Sequence, residues 1–330
     1  MKKGLNENMV ISMKKLTGIL LVLIMFAGCS GQTGSDENIL KVDDSRLTVL
    51  PRPDYTEPDE SEPDPEPVRP EPPDFVEIAK QHLNESHGRV YVGMADLTYP
   101  NAYRYVDDPG IIHPASTIKS MIMEYALLQI HAGNASSDEI YDGYTLQYSI
   151  EQMMQVSCNE STGTLVARFG RADIQSWLDL NYPGIELNSN WRNYHHNNKY
   201  NEITVEDTIV FLERLWELRH GEPYKQMLDI MFGTTWSREK IPAATEDISN
   251  IRVASKSGSF LDGDDTADHD MAIVVSYDED GGIEFVYALT FYSFAPYSEI
   301  TYSVARPAIV AMAREIYEQV SEYYSGSVRF

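Results

Sequence analysis

Apolar and polar residues alternate with distinct periods from Phe75 onward. Apolar residues at helical spacing follow Phe75, and Gly88 ends this predicted helix. The segments 89–95 and 103–106 are rich in Val and Tyr and predict two strands of a hairpin. The segment 116–129 is apolar on nearly all sides, so we predict a helix that is buried centrally.

The middle of the chain has helical periods, and its last third has strand periods. Helices are predicted over 145–155, 161–168, 174–180 and 205–219, with a long polar loop over 182–202. Strands are predicted over 251–256, 271–277 and 285–292, followed by an amphipathic helix over 302–323. This order predicts an α/β (α+β) fold. An antiparallel sheet built from both chain ends should be flanked by helices, beside an all-helical lobe.

Residues 1–28 have the layout of a secretory leader, in which lysines precede an apolar run. The run 16–26 is shorter than the roughly 20 apolar residues that a transmembrane helix needs. It ends in Ala27-Gly28-Cys29, which resembles the lipobox of bacterial lipoproteins, cleaved before Cys29 and lipidated on it. We therefore expect an extracytoplasmic protein, lipid-anchored to the bacterial cell membrane through Cys29. Ordinary secretion is the alternative, because Phe26 departs from the usual leucine. Met13 is an alternative start to Met1.

Residues 29–74 are predicted to form an acidic, Pro-rich tether that precedes one domain at 75–330. Residues 51–74 carry nine of the 17 prolines and nine acidic residues, a composition that favours an extended chain. The formal net charge of −25 repels polyanions, so we expect no nucleic-acid partner. After Cys29 only Cys158 remains, so the mature chain has no intrachain disulfide and depends on its core. We expect a monomer.

Three short motifs carry the chemistry, and their order along the chain is more specific than any one of them. They are Ser116-Thr117-Ile118-Lys119, Ser157-Cys158-Asn159 and Lys256-Ser257-Gly258. A second Ser-x-x-Lys lies in the leader, where no chemistry is plausible, so the first motif alone is weak. Ser-x-Asn and Lys-Ser/Thr-Gly each occur once. The combination indicates serine acyl transfer.

Ser116 and Lys119 are predicted to be nucleophile and base. A serine hydroxyl is a poor nucleophile until a base removes its proton, and positions three apart share a helix face. A lysine is protonated at neutral pH unless burial and a second cation depress its pKa, and Lys256 could be that cation. Ser157 would then bridge Lys119 and Lys256 and pass the proton to the leaving nitrogen.

The other motif residues are assigned to substrate binding. The Asn159 amide would bind the substrate's acyl-side amide. Gly258 lacks a side chain, which lets a substrate lie alongside as an added strand. The N–H of Ser259 can join that of Ser116 as an oxyanion hole. The hydroxyls of Ser257 and Ser259 are available for a substrate carboxylate.

The three motifs, the buried helix after Ser116 and the strands after Lys256 resemble the penicillin-recognising serine hydrolases. The closest layout is that of class A β-lactamases. The resemblance spans residues 75–325, and His113-Pro114-Ala115-Ser116-Thr117-Ile118-Lys119 is similar to that family's nucleophile segment. It implies a serine hydrolase without a cofactor, whose Ser116 forms an acyl-enzyme with a β-lactam or a D-Ala-D-Ala-like peptide of peptidoglycan type.

The sequence departs from that family at two places. Cys158 replaces an Asp and is expected to pack as a small side chain. Glu186-Leu187-Asn188 looks like the family's deacylation loop, but its Glu matches the second acid there. Ile185 and Pro183-Gly184 stand where the catalytic Glu is expected. We therefore expect acylation without fast hydrolysis of a β-lactam. A catalytically inactive cell-wall-binding lipoprotein and an esterase with the same Ser-Lys pair stay open as alternatives.

Other polar clusters have simpler interpretations. His195-His196 lacks acidic or Cys partners at metal-binding spacing, so we predict a polar loop and no metal. The segment 262–270 superficially resembles a calcium loop but lacks its Gly and Glu, so we predict a solvated turn between two strands. No Arg or Lys lies on the strand 271–277, where relatives often hold a carboxylate clamp. The lack of a cation on this strand weakens the expectation that the site binds a substrate carboxylate.

Overall fold

The computed structural model describes residues 77–78, 81–82, 89–99, 102–189, 191, 200–235, 238–262, 265–296 and 305–325. At its centre is a five-stranded sheet in the order β2-β1-β7-β6-β5, and a separate hairpin joins β3 to β4. The strands are β1 (Arg89–Asp96), β2 (Arg104–Val106), β3 (Ile140–Tyr141), β4 (Tyr144–Thr145), β5 (Ile251–Asp262), β6 (Asp265–Tyr277) and β7 (Ile283–Pro296). The helices are α1 (Lys119–His131), α2 (Leu146–Gln155), α3 (Asn159–Phe169), α4 (Arg171–Asn181), α5 (Val205–Glu217), α6 (Tyr224–Phe232) and α7 (Ala305–Ser325).

The sheet joins distant parts of the chain. β1 pairs antiparallel with β7, from Arg89 opposite Phe294 to Asp96 opposite Tyr287. β6 pairs antiparallel with both β5 and β7, so the last three strands are consecutive hairpins and β5 is an edge strand. The helices α1 to α6 lie between β2 and β5 in the chain and form the helical lobe. The predicted fold class, an antiparallel sheet from both chain ends with helices and a helical lobe, is confirmed.

Both faces of the sheet are covered by apolar side chains. Residues on β6 alternate between the two faces, as the period of a strand requires. Ile273 belongs to the cluster that includes Met123 of α1 and the helical lobe. Its neighbour Val274 belongs to a second cluster, which includes Ile309 of α7. The sheet is therefore shared by two cores, and its strands read as apolar on both sides because both sides are buried.

Helix burial and capping follow from the sequence. Every residue from Lys119 to Leu127 is buried, as the all-round apolar pattern of this segment predicts. The hydroxyls of Thr145 and Thr204 accept hydrogen bonds from Tyr148 N and Asp207 N at the first turns of α2 and α5. These N-caps satisfy backbone donors that a helix start leaves unpaired.

Several predicted boundaries differ from the structure. α1 begins at Lys119 rather than at 116, because the chain enters it through a turn in which Thr117 N donates to Pro114 O. The pattern missed α6, the β3–β4 hairpin and the 3₁₀ turn at Pro242–Thr245, all of which are short. The predicted helix near Phe75 is described only at 77–78 and 81–82, which are helical. The predicted leader and tether lie outside the described residues.

The prediction of a solvated turn over 262–270 is wrong. β5 and β6 continue into this segment and pair up to Asp262 opposite Asp265. Asp268, His269 and Asp270 lie within β6 and are buried. Their polarity concealed the strand, because buried acidic residues in a strand are rare unless they are paired. In the described part of the chain, no helix is long and apolar enough to cross a membrane.

Candidate active site

Ser116 lies in a tight turn between β2 and α1, half-buried in front of the first turn of the buried helix. Ala115 precedes it with φ of 49°, a left-handed conformation that is costly for a residue with a β-carbon. Thr117 Oγ1 donates to Pro114 O at 2.8 Å and lies 3.2 Å from the hydroxyl of buried Tyr292 on β7. The turn that carries the nucleophile is thus tied to the sheet, which holds the unusual backbone in place.

Two histidines hold the start of the same turn. His113 Nδ1 accepts a hydrogen bond from Ala115 N at 3.0 Å, and its ring stacks on Phe260 of β5 with centroids 4.4 Å apart. His269 Nε2 donates to His113 O at 2.9 Å from within β6. Burial lowers the pKa of His269 well below its usual value, with Lys240 as a further cause, so its ring is neutral at pH 7. Because Nε2 faces a carbonyl oxygen, it carries the proton.

Gly258 is where β5 approaches the nucleophile most closely. A β-carbon at this position would lie 2.6 Å from Ser116 N, 2.9 Å from Ala115 Cβ and 3.0 Å from Pro114 O. These are backbone or short-chain atoms that have no room to move away. The missing side chain therefore makes space for the nucleophile turn of the protein itself. The sequence predicted a different use for this space, the approach of a substrate strand.

Lys119, Ser157, Asn159 and Lys256 are brought together beside this turn. Lys119 Nζ donates to Ser157 O at 2.8 Å, to Asn159 Oδ1 at 2.7 Å and to Ser157 Oγ at 3.3 Å. Lys256 Nζ donates to the same Ser157 Oγ at 3.0 Å and to Ser257 O at 2.7 Å. One serine hydroxyl therefore lies between two amines, as the sequence predicts.

Burial sets the protonation of both amines. Lys119 and Lys256 are almost completely inaccessible to solvent. Burial lowers the pKa of Lys119 well below its usual value, and the charge of Lys256 lowers it further. Burial also lowers the pKa of Lys256 to about 7, with Lys240 as the second cause, while Asp270 opposes the shift. A lysine with such a depressed pKa can accept a proton at neutral pH.

The second motif lies at the start of α3 and has a special backbone. Ser157 has φ of 57°, again in the left-handed region. Asn159 is the first residue of α3, and Thr162 Oγ1 donates to Cys158 O at 2.7 Å across the first turn. Cys158 is half-buried. Strained residues thus flank the site on two sides, at Ala115 and Ser157, which is a common property of pre-organised active sites.

The motifs did not predict Lys240, which precedes the Pro242–Thr245 turn and lies under the end of β5. Its Nζ donates to His269 O at 2.7 Å and to Gly258 O at 3.3 Å, and it pairs with Asp268 Oδ1 at 2.5 Å. Ser259, which is exposed on β5, donates from Oγ to the same Asp268 oxygen at 2.6 Å. Every second residue of a strand faces the same side of the sheet. Counting back from Val274 in this way could have predicted that Asp268 lies on the same face of β6. No sequence signal pointed to Lys240.

Ser257 and Glu186 complete the placement of the predicted residues. Ser257 is 9% exposed and lies opposite Asp270 in the β5–β6 register. Glu186 is exposed, forms an isolated bridge with Glu202, and its carboxylate accepts a bond from Asn188 Nδ2 at 3.3 Å. Gly184 N donates to Asp207 Oδ2, and a β-carbon at Gly184 would lie 2.3 Å from that oxygen. The backbone at 184 therefore packs too closely against α5 to carry a side chain.

The described residues contain no group of three or more His, Cys, Asp and Glu that could hold a metal ion. The chemistry that the geometry shows is that of one serine hydroxyl, on Ser157, between two buried amines; neither amine bonds to Ser116. A hydroxyl between two amines can relay a proton.

The fold is shared with solved structures of β-lactamases and of PBP-A. A β-lactamase from Chitinophaga pinensis superposes with a TM-score of 0.63 at 16% identity, covering 76% of this chain and 100% of that chain. TLA-3 extended-spectrum β-lactamase gives 0.62 at 16% identity, over 76% and 98% of the two chains. A mutant of PBP-A, solved as an acyl-enzyme complex with penicillin G, gives 0.61 at 16% identity, over 75% and 96%. No curated protein matches the chain.

The resemblance to penicillin-recognising serine hydrolases is confirmed by these structures and by a family model. The model of the β-lactamase enzyme family matches residues 74–320, which is more than half of the sequence and contains all three motifs. The scaffold is therefore that of a serine hydrolase of the β-lactamase type. By fold and by sequence, this chain belongs to the β-lactamase enzyme family.

Proposed function

We propose that this protein is a serine acyl-transfer enzyme that forms an acyl-enzyme on Ser116 with a β-lactam or a D-Ala-D-Ala-like peptide. One observation carries the proposal. Lys119 and Lys256, both buried and both with a depressed pKa, donate to the same Ser157 hydroxyl beside the nucleophile turn. Burying two amines reduces the free energy of unfolding, so a catalytic role explains this arrangement better than a contribution to stability.

In the proposed acylation step, neutral Lys119 takes the hydroxyl proton of Ser116 as Oγ attacks the carbonyl carbon. The N–H groups of Ser116 and Ser259 stabilise the oxygen anion of the tetrahedral intermediate. When the C–N bond breaks, Ser157 gives its proton to the leaving nitrogen and is reprotonated by Lys119, which carries the proton taken from Ser116. The product is an ester on Ser116, and Lys119 is neutral again.

We propose that hydrolysis of this ester is slow for β-lactams. Fast hydrolysis needs a base that activates water. The positions where the family resemblance places that base are Pro183, Gly184 and Ile185. Ile185 is buried and Gly184 packs against Asp207, so neither position offers a carboxylate. The protein would then act as a penicillin-binding or peptidase-like enzyme, or as a weak β-lactamase.

Intact-mass spectrometry after brief exposure to benzylpenicillin tests the proposal. We expect the mass to increase by that of one penicillin, with the adduct on Ser116 and a lifetime well beyond the mixing time. Ser116→Ala should form no adduct. Ser176→Ala, an exposed serine on α4, should label like the wild type. An unlabelled wild type, or a labelled Ser116→Ala, would refute the assignment.

The same experiment separates the two alternatives. A cell-wall-binding lipoprotein without activity would give no adduct with any acyl donor. An esterase would ignore penicillin but form a Ser116-dependent adduct with simple active esters. A screen of both donor classes on wild type and Ser116→Ala therefore decides among the three functions.

We also propose that the protein acts outside the cytoplasm, held at the bacterial membrane by a lipid on Cys29. The leader and the Ala27-Gly28-Cys29 sequence support this location. Incorporation of labelled palmitate should depend on Cys29 and disappear in Cys29→Ser. An unlabelled wild-type protein would favour ordinary secretion instead.

A further inference from the structure

The backbone that leads into Ser116 is held by histidine side chains on both sides of Pro114. His269 Nε2 donates to His113 O at 2.9 Å, and Ala115 N donates to His113 Nδ1 at 3.0 Å. The first bond fixes the peptide group before Pro114, and the second fixes the peptide group after it. We call these two hydrogen bonds the histidine brace.

The histidine brace holds a backbone conformation that is unfavourable by itself. Ala115 has φ of 49°, in the left-handed region that residues with a β-carbon avoid. Such a conformation persists only where the surrounding contacts determine it. Without the brace Ala115 would relax, and Ser116 N, the next donor along the backbone, would move with it. The brace therefore fixes the group that is proposed to stabilise the oxygen anion.

His269 and Gly258 together form the surface on which this turn rests. They lie directly opposite one another in the β5–β6 register, and opposite residues point to the same face of a sheet. A β-carbon at Gly258 would collide with Ser116 N and Ala115 Cβ, whereas the ring of His269 reaches His113 O. One strand therefore leaves room for the turn, and its neighbour bonds to it.

The position of His269 has a cost that a role in stability does not explain. His269 is fully buried, and among the described residues its Nδ1 has no hydrogen-bond partner. A buried acceptor without a partner is unfavourable, and an apolar side chain of similar size would avoid this cost. Stability that is given up beside a nucleophile is typical of functional sites.

The side chain of His113 has two separable properties, its ring and its acceptor. The ring stacks on Phe260 with centroids 4.4 Å apart and meets Tyr200 edge-on at 5.1 Å. Its Nδ1 accepts from the N–H two residues ahead, which is the bond that an Asn side chain makes in an Asx turn. His113→Phe therefore keeps a ring without the acceptor, and His113→Asn keeps an acceptor without the ring.

We propose that His113 and His269 are positioning residues for the acylation of Ser116. Their two hydrogen bonds hold Ala115 in its left-handed conformation and so keep Ser116 N in place for the tetrahedral intermediate. The inference rests on the proposed function, since it assigns the residues that prepare the turn of the proposed nucleophile. Neither histidine exchanges a proton with the substrate.

The matched substitutions at position 113 test the inference on the full-length protein. Quenched samples are analysed by intact-mass spectrometry over a range of benzylpenicillin concentrations, which gives the maximal acylation rate and the half-saturating concentration. We expect His113→Phe to lower the maximal rate about tenfold, the size of one hydrogen bond. His113→Asn should stay within about threefold of the wild type. The half-saturating concentration should change by less than about twofold, because neither histidine is assigned a contact with the substrate. His220→Phe, at an exposed position, is the control.

A second matched pair tests the donor on β6. The side-chain amide of Gln places an N–H close to the position of the imidazole Nε2, whereas Leu has no donor. We expect His269→Leu to lower the maximal rate about tenfold and His269→Gln to stay within about threefold of the wild type. A loss of equal size in both variants would indicate packing rather than positioning. If His269→Leu fails to fold, the two His113 variants decide the question without it.

The outcomes separate this inference from the proposed function. Maximal rates that follow the acceptor at position 113 and the donor at position 269 support both. A wild-type rate in His113→Phe, or equal losses within either matched pair, overturns the inference but leaves the acyl-enzyme intact. The absence of any Ser116 adduct in the wild type overturns both.

Discussion

Two buried lysines that share one serine hydroxyl are the decisive feature at the scale of residues. Lys119 and Lys256 both donate to Ser157 Oγ, and burial is the first cause of the depressed pKa of each. A neighbouring cation lowers each pKa further, Lys256 for Lys119 and Lys240 for Lys256, because like charges in a low-dielectric site repel strongly. The folded protein therefore favours neutral amines at a pH where the unfolded chain has charged ones.

Replacing Lys256 with Met tests the cost of this arrangement. We expect Ser116 acylation to fall by at least about 100-fold, since Ser157 Oγ loses the hydrogen bond from Lys256 and Lys119 loses the neighbouring charge that helps to keep it neutral. The free energy of unfolding at neutral pH should rise by about 1–3 kcal/mol, because the apolar chain avoids the cost of burying an amine that is charged in the unfolded chain. Acylation is measured by intact mass, and stability by urea unfolding.

The stability gain of Lys256→Met should decrease as the pH rises. The pKa of Lys256 is about 7 in the folded protein and 10.5 in a free side chain, so within this window only the unfolded state binds the proton. Wild-type stability therefore rises with pH there, and the advantage of Lys256→Met should shrink from about pH 7 to about pH 9. Lys225→Met, an exposed control on α6, should show no such trend. An advantage that stays constant or grows with pH would contradict the depressed pKa.

At the scale of elements, short turns position the chemistry while strands and helices hold the turns. The turn before α1 carries Ser116, and the segment before α3 carries Ser157. The loop after α4 carries Glu186, which points the carboxylate toward Asn188 on its own loop. The sequence predicts that this carboxylate takes no part in deacylation, and Gly184 and Ile185 offer none.

Glu186→Gln tests the role of that loop. We expect the lifetime of the penicillin adduct and the slow turnover of nitrocefin to remain within about twofold of wild type, because an exposed substitution changes little around it. Glu202→Gln, its partner across the isolated bridge, is the matched control. Efficient nitrocefin hydrolysis in the wild type that is lost only in Glu186→Gln would show that the acid is the base after all.

Sequence patterns located most elements but not the contacts between them. The motifs predicted the meeting of Lys119, Ser157 and Lys256, because their spacing and order are specific to one chemistry. Lys240 could not be predicted, since it reaches the site from a short irregular segment and its partners are backbone oxygens distant in sequence. Asp268 was assigned to a turn because polarity was taken as exposure, whereas its charge is balanced inside the fold.

At the scale of the whole molecule, one sheet is shared by two cores. The order of helices and strands was enough to predict this architecture, because strands from both chain ends must pair to cover their apolar faces. The neighbouring residues Ile273 and Val274 belong to different cores, so the two cores adjoin across a single strand. A substitution that destabilises one core should therefore also destabilise the other.

Ile309→Ala, in the core under α7, tests this coupling. Ile309 is fully buried, so the loss should cost about 2–5 kcal/mol of stability. Trp177 on α4 and Trp216 on α5 lie in the helical lobe, so tryptophan fluorescence reports unfolding there. We expect fluorescence and circular dichroism to shift by the same amount in urea. Ile283→Ala, 48% exposed, should shift neither. Separate transitions would show that the cores unfold independently.

The close approach at Gly258 limits how this site can change during evolution. A side chain there would collide with Ser116 N and Ala115 Cβ, so position 258 and the nucleophile turn can diverge only together. A single substitution at position 258 is therefore barred unless the nucleophile turn moves with it. New substrate preferences must then arise at neighbouring positions, and Ser259, which is exposed, is one with room to vary.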